Sequence, residues 1–121
     1  MKEKVIIRKE KFAIFISKKI YNEAFANIKS EEGITTIIEE DKVDKNDVVK
    51  IEKDYRLITF GMDLPFDLVG FISRISKALA DVGISIFVVS SYSTDHILVK
   101  QKDINRSVEI LETLNFEVVI E

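Results

Sequence analysis

In the second half of the chain, apolar positions alternate, then recur at helical spacing, then run together. Residues 56–61, RLITFG, alternate and are rich in β-formers, which predicts a strand. Leu68, Phe71, Ile72, Ile75, Ala78, Leu79 and Val82 then recur at three- and four-residue intervals. Ser73, Arg74, Ser76, Lys77 and Asp81 fall on the other side. This spacing predicts a helix over 67–82 with one buried face, capped by Asp67 and ended by Gly83 in a left-handed position. Residues 84–91, ISIFVVSS, form a nearly continuous apolar run that is too short for a helix and fits a strand buried on both faces. DHILVKQ (95–101) predicts the next strand, after a turn through Tyr92–Thr94. Asp103 is placed to cap a second amphipathic helix through Ile104, Val108, Leu111 and Leu114, and FEVVIE closes the chain as a strand. The succession is β-α-β-β-α-β, the ferredoxin-like split arrangement with both helices on one face of an antiparallel sheet.

The first half repeats this plan less regularly. VIIRKE (5–10), FAIFIS (12–17), AFANIK (24–29) and GITTIIEE (33–40) read as strands, the last two joined into a hairpin through Ser30-Glu31-Glu32-Gly33. DKVDKND (41–47) predicts one helical turn, and VVKIEKD (48–54) a further strand. A loop around Ile20–Glu23 stands where a first helix would be. The expected fold class is α+β: two ferredoxin-like modules, an abbreviated one at 1–55 and a complete one at 56–121. Without a Gly/Ser/Pro linker, and with Pro65 the only proline, the halves are expected to pack together.

Composition removes most kinds of chemistry. The 121 residues include no cysteine, which rules out disulfides, thiolate metal sites and cysteine nucleophiles. With a net charge of -3 and interleaved signs, no electrostatic footprint for nucleic acid is present. Residues 1–55 carry 12 basic and 12 acidic side chains, against 6 and 9 in 56–121, so the second half is the more apolar. Asp41, Asp44, Asp47 and Asp54 alternate with Lys42, Lys45, Lys50 and Lys53, which reads as a solvated face rather than a cation loop. The N-terminal segment lacks the apolar stretch of a signal peptide, and no run is long enough to span a bilayer. A soluble cytoplasmic protein is expected, with neither nucleic acid nor membrane as partner. His96 is the only histidine and reads as a part-buried strand residue. Without a nucleophile, a metal cluster or a phosphate loop, no enzymatic activity and no cofactor are expected.

The stretch PFDLVGFISRISKALADVGISIFVVSSYSTD (65–95) stands out for two features. Gly70 at the start of the best helix costs roughly 1 kcal/mol of helix propensity relative to alanine. Either a group approaches the exposed backbone amides there, or the helix packs closely on the sheet. The polar run Ser90-Ser91-Tyr92-Ser93-Thr94-Asp95 ends the most apolar strand. Asp95 there could accept hydrogen bonds from an ammonium group, or serve the turn itself.

Three segments carry a resemblance to a known family. Asp67–Gly70, the Ala-Asp-x-Gly-Ile-Ser-Ile-Phe turn at Ala80–Phe87 and the Ser-x-Tyr-Ser-Thr-Asp-x-Ile-Leu-Val segment at Ser90–Val99 resemble the ACT domain. The likeness is to the ACT domain of small bacterial proteins with two tandem ACT-like modules, relatives of aspartokinase regulatory modules and of CASTOR-type amino-acid sensors. The run from Leu64 to Leu111 carries it, and the first half matches more weakly through KFAIFI and GITTIIEE. The resemblance implies a regulatory module that binds a small ligand, usually an amino acid, at an interface between modules or subunits. Carried onto this chain, it assigns backbone donors to Leu68, Val69, Gly70 and Phe71, and a polar turn to Ser90, Ser91, Thr94 and Asp95. It also implies homodimerisation. Because no catalytic or DNA-binding unit accompanies the module, any output is expected to pass through a protein partner or an oligomer. A ligand-free protein–protein adaptor is the competing expectation.

Overall fold

A computed structural model describes residues 3–61 and 69–121. Among these, the elements follow as β1 (Glu3–Ser17), β2 (Ala26–Ser30), β3 (Gly33–Glu39), β4 (Lys50–Phe60), α1 (Phe71–Ala80), β5 (Phe87–Ser90), β6 (Asp95–Lys100), α2 (Ile104–Thr113) and β7 (Phe116–Ile120). The chain packs as two compact units, one of Glu10–Tyr55 and one of the segment up to Lys9 with Arg56–Glu121. The first residues of the chain thus belong to the same unit as the second half. The reason lies in β1. Its two expected strands are one, carried through the exposed Lys9, Glu10 and Lys11 without a turn, and its first part pairs with β7. In the same way 48–54 and 56–61, expected as separate strands, are the single β4. Asp54 within it takes a left-handed φ of 65°, where its N–H donates to Glu40 Oε2 at 3.0 Å.

In the larger unit the strands lie in the order β7-β1-β4-β6-β5. The predicted β-α-β-β-α-β succession is present as β4-α1-β5-β6-α2-β7. The sequence does not foretell that β1 inserts between β4 and β7. Gly61 N–H donates to Lys4 O at 3.0 Å, and Arg56 Nε to Arg8 O at 2.8 Å. These bonds run β1 opposite to β4. Its pairing with β7, from Glu3↔Phe116 to Ile7↔Ile120, is consequently parallel, so the expectation of purely antiparallel pairing fails at this one ladder.

Side chains two apart on a strand share a face. Val5 and Ile7, Ile58 and Phe60, and Ile97 and Val99 accordingly meet Ile75 and Leu79 of α1 and Ile104 and Leu111 of α2 in one core. Both helices therefore cover the same face, as the apolar spacing predicts. On the opposite face Leu57, His96 and Leu98 are buried too. Phe87 and Val89, their neighbours on β5, are half-buried.

Several expected boundaries and caps are corrected. The strand expected at 84–91 is only Phe87–Ser90, with Val88 and Ser90 exposed. Among the described residues it is an edge strand paired to β6 alone, which is why it is not buried on both faces. Helix α1 starts at Phe71 rather than 67, with Gly70 as its N-cap; the expected cap Asp67 lies outside the described residues. At its other end Gly83 N–H closes onto Ala80 O at 2.9 Å. Asp103 precedes α2 as expected, but its side chain makes no cap. Its carboxylate meets Arg106 at 3.4 Å, while its carbonyl accepts from the buried Ser107 hydroxyl at 2.8 Å.

The unit of Glu10–Tyr55 has the strand order β2-β3-β1-β4. The predicted hairpin is there, Ser30 pairing with Gly33. Between β1 and β2 the chain bends without forming a helix. Tyr21 anchors this bend, edge-on to Phe15 with ring centroids 5.4 Å apart and donating its hydroxyl to Asp47 at 3.0 Å. The one helical turn expected at 41–47 is two short 3-10 turns, Glu40–Lys42 and Lys45–Asp47.

Burial separates what holds α1 in place from what decorates it. Leu79 is wholly buried, while Lys77 pairs with Asp81 at 2.9 Å on an exposed surface. Leu79→Ala is expected to cost about 2–5 kcal/mol in urea denaturation. Lys77→Ala should cost no more than about 0.5 kcal/mol. Equal losses would contradict this assignment of the core.

Candidate functional site

Two neighbouring residues of β4 hold the pieces of the candidate site. Phe60 points to the helix side, its ring 5.3 Å from that of Phe71, the first residue of α1, and 5.6 Å from Phe116. This contact fixes where α1 begins. Thr59 points to the other face, where its hydroxyl shares a 3.0 Å hydrogen bond with His96 Nδ1 on β6. His96 Nε2 in turn lies 3.2 Å from Ser91 Oγ in the β5–β6 turn. The start of α1 and the polar turn therefore lie at the same end of one sheet, tied to consecutive residues of one strand.

At the helix start Gly70 has φ 86° and ψ 0°. That left-handed conformation is the reason for glycine here, since a side chain pays roughly 1–2 kcal/mol to adopt it. Close packing, the other explanation open from sequence, is not seen, because among the described residues a Cβ at Gly70 would meet nothing within 4 Å. Gly70 O accepts the first helical hydrogen bond, from Arg74 N–H at 3.1 Å. The amides of Phe71, Ile72 and Ser73 precede that bond and have no helical acceptor. The helix dipole concentrates about half a positive charge at this end. Of the four residues carried over from the family, Leu68 lies outside the described residues. Val69 is 92% exposed, and Phe71 turns its ring inward, leaving its N–H at the surface end. Ile72 and Ser73 were not singled out from sequence, because the helix was expected to start four residues earlier.

Ser90, Ser91, Thr94 and Asp95 are brought together in one hydrogen-bonded turn. Ser90 and Asp95 are cross-strand partners, and Ser90 Oγ donates to Asp95 Oδ1 in a short hydrogen bond of 2.6 Å. Ser91 N–H and Ser91 Oγ both donate to Thr94 O, each at 2.9 Å. The Ser91 hydroxyl proton being so committed, Ser91 Oγ accepts from His96 Nε2–H. In a neutral ring Nδ1 then accepts from Thr59. Burial lowers the His96 pKa below its ordinary 6.5, with nearby Asp95 opposing the shift. His96 thus does more than the ordinary strand histidine expected of it, since it joins the turn to β4. Its position next to Asp95 was the available signal. Thr59 could not be found without the β4–β6 pairing.

Among the described residues, no group of three or more His, Asp or Glu could hold a metal ion, and no buried side-chain nitrogen or oxygen lacks a partner. No described helix is long and apolar enough to cross a membrane.

Comparison with known proteins agrees with the fold. The ACT domain family model matches residues 50–113. Among curated proteins, none matches the sequence. A solved structure from Agobacterium tumefaciens superposes with a TM-score of 0.82 at 19% identity, covering 100% of this chain and 95% of that one. A Vibrio cholerae protein follows at 0.77 and 21%, covering 91% and 88%. The ligand-free regulatory subunit of aspartate kinase from Thermus thermophilus superposes at 0.64 and 9%, covering 93% and 97%. At these identities the likeness is one of fold.

The His96 shift sets a pH dependence. The unfolded chain takes up its proton near pH 6.5, whereas the folded chain does so only at lower pH. Stability from this residue is full above about pH 6.5 and declines as pH falls from there toward the lowered folded pKa. Urea midpoints of the wild type should drop from pH 7.5 to pH 5 more steeply than those of His96→Gln. Parallel profiles would show that His96 is not held neutral.

Proposed function

The chain belongs to the ACT domain family, and from this we propose that it is a regulatory module that binds an α-amino acid. The ligand carboxylate lies on the amides of Phe71, Ile72 and Ser73 at the start of α1, and its ammonium group lies by Asp95. The single observation that carries this reading is the Thr59–Phe60 pair, whose contacts with His96 and Phe71 hold a positive helix end and a carboxylate at one end of the same sheet. Complementary charges so held match the two ends of a zwitterion. Likeness in fold to a regulatory subunit of aspartate kinase supports the regulatory role. A second copy of the chain completes the site, docking along the edge where Val88 is 41% exposed.

The competing reading is a ligand-free adaptor. Its support is the exposure of Val69 and Tyr92, at 92% and 79%, together with the Ser90 hydrogen bond already engaging Asp95.

A melting-temperature screen of the twenty amino acids separates the two. A ligand at a hundredfold excess over its Kd should stabilise the fold by about 2.7 kcal/mol. Asp95→Asn should then weaken binding roughly ten- to a hundredfold, the scale of a hydrogen bond to a charged group. Gly70→Asn, a residue that tolerates the left-handed backbone, should block ligand approach with little loss of fold. If no amino acid raises the melting temperature, the adaptor reading stands instead. Sedimentation at micromolar concentration should give twice 13.9 kDa, and a monomer would reject the second copy.

A further inference from the structure

A cavity of about 330 Å³ opens in the Glu10–Tyr55 unit, lined by the two 3-10 turns and the first residues of β4. Its apolar lining is Val43, Val48 and Ile51, and its charged lining is Glu40, Asp41, Lys45 and Lys53. The volume is within the range that small-ligand sites occupy, at roughly 300–1,000 Å³. The four charges are not equivalent. Glu40 already accepts from Asp54 N–H at 3.0 Å, and Lys53 already has an interaction of its own. Asp41 and Lys45 make no side-chain hydrogen bond or ion pair among the described residues, so one carboxylate and one ammonium remain to meet a ligand.

The balance of charge selects the ligand class. A dianion or phosphate would bring its charge against Glu40 and Asp41, and a polyamine would bring its own against Lys45 and Lys53. A zwitterion meets neither penalty, and the Val43, Val48 and Ile51 side chains favour an aliphatic body. We propose that this cavity is a second small-molecule site, taking a zwitterion with an aliphatic side chain, its carboxylate on Lys45 and its ammonium on Asp41. The site is independent of the one at the start of α1 and lies entirely within residues 40–53.

Backbone amide shifts read this site residue by residue. The probes are L-leucine, isovalerate and isoamylamine, which share an aliphatic body and carry both charges, the anion alone or the cation alone. L-leucine is expected to shift amides of residues 40–53, with at most weak responses there to the other two. Lys45→Gln and Asp41→Asn should each weaken the 40–53 response about fivefold, the upper end for an exposed charge pair. Asp95→Asn should leave it unchanged. Both charge variants keep side-chain size on an exposed surface, so their spectra should otherwise match the wild type. No shift in 40–53 at millimolar L-leucine overturns the proposal. So does an equal response to isovalerate or isoamylamine, or a leucine response that survives both charge variants. Shifts confined to 70–95 would support the α1 site while rejecting this one, and shifts confined to 40–53 the reverse.

Discussion

The contact of Phe60 with Phe71 decides more of this molecule than any other. Phe60 is wholly buried near the end of β4, and its ring meets both Phe71 and Phe116 edge-to-face. Such pairs add about 0.5–1.5 kcal/mol to the burial of their area. Here they also set geometry, because Phe71 opens α1 and Phe116 opens β7. With Phe71 seated, the first turn of α1 presents its amides at the end of the sheet and Gly70 has to turn through left-handed backbone to reach it. The neighbouring Thr59 adds a polar tether on the reverse face through His96. A hydrophobic contact and a hydrogen bond from consecutive residues thus position two polar features at one end of the sheet.

Polar satisfaction shapes the turn as strongly as packing shapes the helix. A buried imidazole between two hydroxyls is cheap only while neutral. The hydrogen-bond order from Thr59 through His96 and Ser91 to Thr94 O fixes one tautomer and one turn geometry. Asp95 sits one residue away with its own hydroxyl donor, Ser90, which orients its carboxylate. Rigidity of this kind lowers the ordering cost that a ligand would otherwise meet.

The succession of elements in the second half was legible because each local pattern agreed with its tertiary role. Leu79 and Ile75 follow helical spacing and are core, and Ile97 and Val99 alternate and face the helices. What was not legible depended on pairing between distant segments. VIIRKE and FAIFIS read as two strands because Lys9, Glu10 and Lys11 interrupt the apolar pattern, and a charged stretch on an exposed strand looks the same as a turn. The insertion of β1 beside β7 leaves no mark in either segment. Of the candidate site, the Ser90–Asp95 cluster and Gly70 could be found from sequence, since hydroxyl runs and a glycine opening a helix are local signals. Thr59 could not, because only strand register brings it to His96.

The parallel ladder of β1 with β7 has a consequence for how the chain reaches this structure. It joins Glu3 to Phe116 and Ile7 to Ile120, so the larger unit closes over nearly the whole sequence. By contrast, the β2–β3 hairpin and its pairing with β1 span only short separations. Loop-closure entropy makes distant pairings slow relative to local ones. On a chain emerging from the ribosome, Glu10–Tyr55 has all its partners early, while residues 3–7 stay a strand with an unfilled edge until 116–120 arrive. That edge, rich in Val5, Ile6 and Ile7, is open to pairing with the wrong chain during synthesis.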